Sequence, residues 1–201
     1  FFFFAGKKSR FLGKVIMKVV KGRKKFRTLK KRKFIAIGEI GLDYYWDKTF
    51  IQQQIEAFTI QMQWALEKQL PIVIHTRNAM GETIEAVKPF AKKGLRGIFH
   101  CFSGSQESAQ QIISMGFHLG LGGVLTYKNA AVAEAIKEIP MSHLVLETDA
   151  PYLSPVPYRG KTNEPAFMIE VAKKLAEIKN IPLQEVAVIT TNNAKEVFGI
   201  E

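Results

Sequence analysis

Four side chains far apart along the chain carry groups suited to one job: Glu39, His75, His100 and Asp149. Each stands at or near the end of a short apolar run: Phe34 to Glu39, Leu70 to His75, Gly97 to Phe102, and His143 to Asp149. Two imidazoles and two carboxylates form a ligand shell for a divalent cation. Such a cation lowers the pKa of water, and a neighbouring carboxylate can take the proton released. His118 and His143 are the contrast, His118 in mid-strand and His143 at a strand start. Both read as structural or surface residues.

Polar groups flank the same strand ends. Asp43 follows Glu39 and could orient a ligand from behind, and Thr76, Arg77 and Asn78 follow His75. Ser103, Gly104 and Ser105 follow His100 and open a helix, where backbone N–H groups favour an anion. Arg159 and Lys161 follow Asp149 in a Pro-rich loop. A phosphate-bearing substrate would account for all three features. Solvated loop charges and a plain helix start would account for them as well.

The elements that must position these groups are read from periodicity. Five apolar runs without alternation, the four above and Phe117 to Gly122, suit parallel strands covered on both faces. Between them lie helical patterns. Ile51, Ile55, Phe58, Met62 and Ala65 form one amphipathic stripe, and residues 79–93, 105–115 and 129–138 read as further helices. Ser105 is the expected N-cap of the third and Gly116 its stop. A helix is expected from about Glu164, followed by two short ones starting near Pro182 and Thr191. Repeated strand–helix units give a parallel α/β sheet, open or closed into a barrel. In β/α barrels the strand ends converge, which suits the polar residues.

Bulk properties narrow the setting. The chain has 201 residues, 47% of them hydrophobic, whereas a complete eight-stranded β/α barrel needs roughly 250. The formal charge of +11 is segmental: residues 1–34 hold 14 basic residues and no acid, leaving 15 basic against 18 acidic in the rest. The basic segment therefore predicts nothing about the body. It reads as a truncated or frame-shifted start, with a nucleic-acid-binding tail or a membrane-surface amphipathic helix as alternatives. A single cysteine, Cys101, excludes an internal disulfide framework and suits a reducing compartment. No stretch approaches ~20 apolar residues and no secretory signal is present, so a cytoplasmic protein is expected.

Five motifs in order resemble the TatD family of metal-dependent deoxyribonucleases: Gly-Glu-Ile-Gly-Leu-Asp at 38–43, Pro-Ile-Val-Ile-His at 71–75, His-Cys-Phe-Ser-Gly at 100–104, Glu-Thr-Asp-Ala-Pro-Tyr-Leu at 147–153 and Pro-Tyr-Arg-Gly-Lys-Thr-Asn-Glu-Pro at 157–165. The resemblance covers residues 34–201 and leaves 1–33 outside. It implies a TIM (β/α)8-type barrel, here incomplete with about five of eight units. It implies two divalent metals (Mg, Mn or Zn), with Glu39 bridging both, His75 and His100 on one, and Asp149 on the other and acting on the attacking water. It implies hydrolysis of DNA phosphodiester bonds, often from a 3′ end, in a family linked to DNA repair and to DNA breakdown in cell death; a monomer is expected. The departure is at the front: the His-x-His strand usual near the start has no counterpart, since no His precedes His75. With three strands lacking, the expectation is an unstable or aggregation-prone chain that holds one metal at best, on Glu39, His75 and His100. An amidohydrolase acting on a small molecule, or an inert barrel with a nucleic-acid-binding head, are the alternatives.

Overall fold

A computed structural model describes residues 34–45 and 47–200. The basic segment, residues 1–33, and the helix expected within it lie outside the described residues. Five strands alternate with helices, an α/β arrangement. The chain forms two compact units, one ending at Gly97 and one beginning at Ile98.

In the first unit, β1 (Ile37–Asp43) pairs in parallel with β2 (Ile72–Arg77). Ile37 faces Ile72 and Ile40 faces Ile74, so three steps along β1 match two along β2. The extra residue is a bulge at Gly38–Glu39, a device that bends a strand and re-aims a side chain. Beyond it Gly41 faces His75 with φ of 149°, and a Cβ there would lie 1.8 Å from the His75 carbonyl oxygen. Only glycine lets the two backbones approach so closely.

Helix α1 (Ile51–Lys68) buries Gln54, Ala57, Phe58, Met62 and Ala65. The buried face is thus rotated slightly from the Ile51/Ile55 stripe, and it carries an amide. The Gln54 side chain accepts from the Asp43 N–H at 2.8 Å and donates to the Asp43 carbonyl at 3.0 Å, pinning the end of β1. Phe58, Met62, Ile72, Ile74 and Val87 are almost wholly buried, each contributing roughly 1.5–3 kcal/mol. Val87 comes from α2 (Met80–Ala91).

In the second unit β3 (Gly97–Phe99, from Ile98 on), β4 (His118–Leu121) and β5 (Leu144–Leu146) run parallel in chain order. Helix α3 (Gln106–Ser114) starts at Ser105, whose hydroxyl accepts from the Ser108 N–H at 3.3 Å, and Gly116 follows its end at φ 80°. Phe99 and Phe117 meet edge to face at 5.8 Å within a core that includes Ile112, Leu119, Leu121 and Leu125. A 3-10 turn, Gly123–Thr126, and the short α4 (Ala131–Ala135) lead towards β5.

After a long loop, a 3-10 turn at Pro165–Phe167 enters α5 (Met168–Lys179). The Lys179 Nζ donates to the carbonyls of Ile136, Lys137 and Ile139 at 2.5, 2.8 and 2.6 Å. The two short helices expected at the end are one, α6 (Leu183–Phe198). Thr191 lies in its interior, and the neighbouring Thr190 hydroxyl donates back to the Val186 carbonyl one turn earlier. A hydroxyl satisfied in that way does not start a new helix. Among the described residues no helix is long and apolar enough to cross a membrane.

Candidate metal centre

The polar groups expected at strand ends are placed differently in the two units. Glu39 is the third residue of β1, exposed in the bulge, and His75 lies inside β2. Neither terminates its strand. His100 sits in the turn just after β3, and Glu147, Thr148 and Asp149 follow the last residue of β5. The apolar runs of the sequence are therefore longer than the paired segments at β3 and β5. Beyond them the backbone still bonds to β4, Phe102 N–H to the Gly120 carbonyl at 2.9 Å and Glu147 N–H to the Leu121 carbonyl at 3.1 Å, and side chains hold the reactive groups.

In the first unit Asp43 Oδ2 is 3.1 Å from His75 Nε2, and Asp43 Oδ1 accepts from the Tyr45 N–H at 3.0 Å. Burial pushes the Asp43 carboxyl up, but the His75 bond, the Tyr45 N–H and the charges of His75 and Arg77 together hold it below its ordinary value. The Arg77 guanidinium lies 3.7 Å from the Tyr45 ring centre.

In the second unit His100 is 8% exposed and gripped from both sides. Its Nδ1 is 2.5 Å from Glu147 Oε2, and its Nε2 is 3.3 Å from Asp149 Oδ1. Glu147 Oε1 accepts the Cys101 N–H at 2.6 Å. Space for this carboxylate comes from β4: a Cβ on Gly120 would lie 2.8 Å from Glu147 Oε2. With the Nδ1 proton committed to Glu147, the Nε2 lone pair faces Asp149 Oδ1. Two acceptors facing one another require a proton or a cation between them. A histidine oriented by a carboxylate behind it is the arrangement metal sites use, so the donor set fits a divalent cation.

The loop after Asp149 is tied internally. The Asn163 Nδ2 donates to Thr148 Oγ1 at 3.0 Å and to the Tyr152 carbonyl at 2.6 Å, and the Asn163 N–H donates to the Pro151 carbonyl. Thr148 Oγ1 also accepts from the Ala150 N–H. These bonds fix both neighbours of Asp149. Arg159 lies over the Tyr127 ring at 4.3 Å and Lys161 near the Tyr158 ring at 6.0 Å. Neither cation has an acidic partner among the described residues. Ser103 is exposed and Gly104 half-buried, both before the N-cap Ser105.

His118 begins β4 and His143 ends the 3-10 turn before β5, at the strand starts. His118 is therefore not in mid-strand. The two rings lie 5.5 Å apart with both Nδ1 atoms buried and unpartnered.

The model of the TatD-related DNases matches residues 15–199. The chain belongs to that family. Among its TatD-type relatives, an uncharacterized metal-dependent hydrolase of Bacillus subtilis, YabD, is 46% identical over 169 residues, covering 84% of this chain and 66% of that protein. An uncharacterized metal-dependent hydrolase of Escherichia coli K12, YcfH, is 36% identical over 168 residues, covering 83% of this chain and 63% of that protein. The crystal structure of YJJV, a TatD homologue from E. coli K12, superposes with a TM-score of 0.82 at 29% identity, covering 87% of this chain and 68% of that one. A TatD family hydrolase from Entamoeba histolytica shares the fold at 24% identity, with a TM-score of 0.77 over 91% and 71% of the two chains. The fold is thus of the TIM-barrel type expected for TatD proteins, with about five of its β/α units present. The chain spans about two thirds of the length of the curated relatives it matches.

Sequence reasoning missed Glu147, Gln54 and Asn163. The signal for Glu147 was available, as it stands two residues before Asp149 at the end of an apolar run. An acid there is either exposed or bonded to something specific. Gln54 had none, since a glutamine between helix stripes reads as solvent-facing.

Proposed function

We propose that this chain carries the site of a metal-dependent hydrolase that cleaves phosphodiester bonds of DNA. The observation that carries the reading is His100, with Glu147 behind Nδ1 and Asp149 facing Nε2. His100 and Asp149 are the proposed ligands in the second unit, and Glu39 and His75 are those that the family resemblance adds. In the first unit Asp43 occupies Nε2 of His75, which leaves Nδ1 to serve as a ligand atom. A bound divalent cation supplies Lewis acidity toward water and toward the phosphoryl group. One cation is proposed for this chain, and Mg, Mn and Zn all suit the mixed donors.

The chain's own residues do the rest. Asp149 accepts the proton of the attacking water. Glu147 keeps His100 in one tautomer and orientation. Arg159, Lys161 and the backbone at Ser103 and Gly104 receive the phosphate charge. Two cations without carboxylate partners among the described residues favour an anionic substrate over a neutral amide or lactone. A cytoplasmic monomer acting on DNA completes the reading.

The test is release of nucleotides from a single-stranded oligonucleotide with Mg²⁺, Mn²⁺ or Zn²⁺, compared with the Asp149→Asn variant. Cleavage that persists in Asp149→Asn, or that never occurs with any of the three metals, rejects it. Turnover of a lactone or cyclic amide but not of DNA would move the site to small-molecule hydrolysis. DNA binding without turnover, lost on deleting residues 1–33, would make the barrel inert.

A further inference from the structure

Arg159 lies on an exposed loop, where a long side chain ordinarily samples many rotamers at a cost in binding entropy. Here its guanidinium lies over the face of Tyr127, with the guanidinium carbon 4.3 Å from the ring centre. That ring is itself fixed. The Tyr127 hydroxyl donates to the Ser154 carbonyl at 3.1 Å, within the stretch of loop that leads to Arg159. One residue earlier, Thr126 Oγ1 accepts from the Val156 N–H at 2.8 Å and donates to the Gly123 carbonyl at 2.7 Å. Gly123 lies so close to the loop that a Cβ would sit 1.9 Å from the Leu153 carbonyl. At the neck of the loop the Ser154 hydroxyl donates to the Lys161 carbonyl at 2.5 Å. Residues 123–127 thus clamp the loop at 153–156, and the loop carries Arg159 back over the clamping tyrosine.

A guanidinium lying over an aromatic ring uses its face and keeps its N–H edge for hydrogen bonds, the fork that matches a phosphate. The Tyr127 phenol also responds to this neighbourhood: burial, foremost, raises its pKa, Arg159 opposes that, and Cys101 and Asp149 add to it. The ring therefore shares the electrostatic surroundings of both Arg159 and Asp149.

We propose that Tyr127 is a positioning residue, a pedestal that holds the Arg159 fork ready for a phosphate oxyanion. This rests on the phosphodiesterase reading above. It adds a residue that the loop motif does not contain, 32 positions before Arg159.

The test uses the full chain in EDTA, titrated with inorganic phosphate and followed by NMR at the Arg159 Nε–Hε resonance. Tyr127→Phe keeps the ring but not its bond to the Ser154 carbonyl, and it retains the upfield ring-current shift with a phosphate affinity between those of the unsubstituted chain and Tyr127→Leu. Tyr127→Leu loses the shift and binds phosphate about two- to fivefold more weakly. Tyr127→Leu combined with Arg159→Ala binds no more weakly than Arg159→Ala alone, because both act through one group. Should Tyr127→Leu disturb the fold, Tyr127→Trp provides the second comparison and keeps both shift and affinity. Independent, multiplying losses in the double variant overturn the proposal, as do an unshifted Arg159 resonance or no phosphate binding by the unsubstituted chain. Metal-dependent oligonucleotide cleavage is assayed alongside. A coupled pair without cleavage rejects the hydrolase reading alone, and cleavage with an uncoupled pair rejects the pedestal alone.

Discussion

The two units fix their reactive groups by different means. In the first, Glu39, Asp43 and His75 belong to paired strands, and their directions follow from the bulge at Gly38–Glu39, the register and the Gln54 clamp. In the second, the strands are only three or four residues long, and His100 and Asp149 lie just past them. There the aiming is done by other side chains: Glu147 on His100, and Asn163 through Thr148 and Tyr152 around Asp149. Ladder bonds are shared among many residues, so losing one side chain leaves the backbone path intact. A group aimed by one carboxylate or one amide depends on that residue alone. The supporting residues of the second unit should therefore be the more sensitive ones.

Asp149→Asn is expected to have the largest effect, lowering metal-dependent DNA cleavage by about 10²- to 10⁴-fold while leaving the melting temperature nearly unchanged. Next, Glu147→Gln lowers the affinity for Mn²⁺ about 10- to 100-fold by calorimetry, because His100 loses its fixed tautomer. Asp43→Asn, the equivalent change behind His75, costs less than tenfold. Equal losses from the two would break the comparison. Removing an amide clamp sharpens it further. Asn163→Ala and Gln54→Ala each delete two side-chain hydrogen bonds and cost about 1–3 kcal/mol in urea unfolding. Only Asn163→Ala should also depress cleavage.

The smallest effect is on pH dependence. Burial, followed by the adjacent His143, lowers the pKa of His118, while Glu196 and the Ser142 backbone oppose this less strongly. The folded chain binds that proton less readily than the unfolded chain, whose histidine titrates near 6.5. Stability therefore falls as pH drops through 6.5 and is level above it. His118→Gln flattens that slope, read as urea midpoints at about pH 8 and about pH 5.5.

Much of this was legible in the sequence. Buried parallel strands lack polar alternation, so the five runs were visible as uninterrupted apolar stretches. Their ends were not, because an apolar run continues past the last residue of the strand, as at His100 after β3 and Glu147 after β5. The bulge was invisible, since nothing in Gly38-Glu39 distinguishes an extra residue from an ordinary one. His100 and Asp149 were legible because His and Asp just past the ends of buried strands are costly unless they bind something. Their supports were not, as Gln54, Tyr127 and Asn163 are common in solvent and acquire a role only through the partner the fold brings to them.

Lys179 offers a use unlike any of these. An ammonium group that gives its protons to three carbonyls must drop at least one before its nitrogen can attack an acylating reagent. Among the described lysines it should be modified last, and its rate of labelling would time how often the end of α5 lifts from the segment after α4.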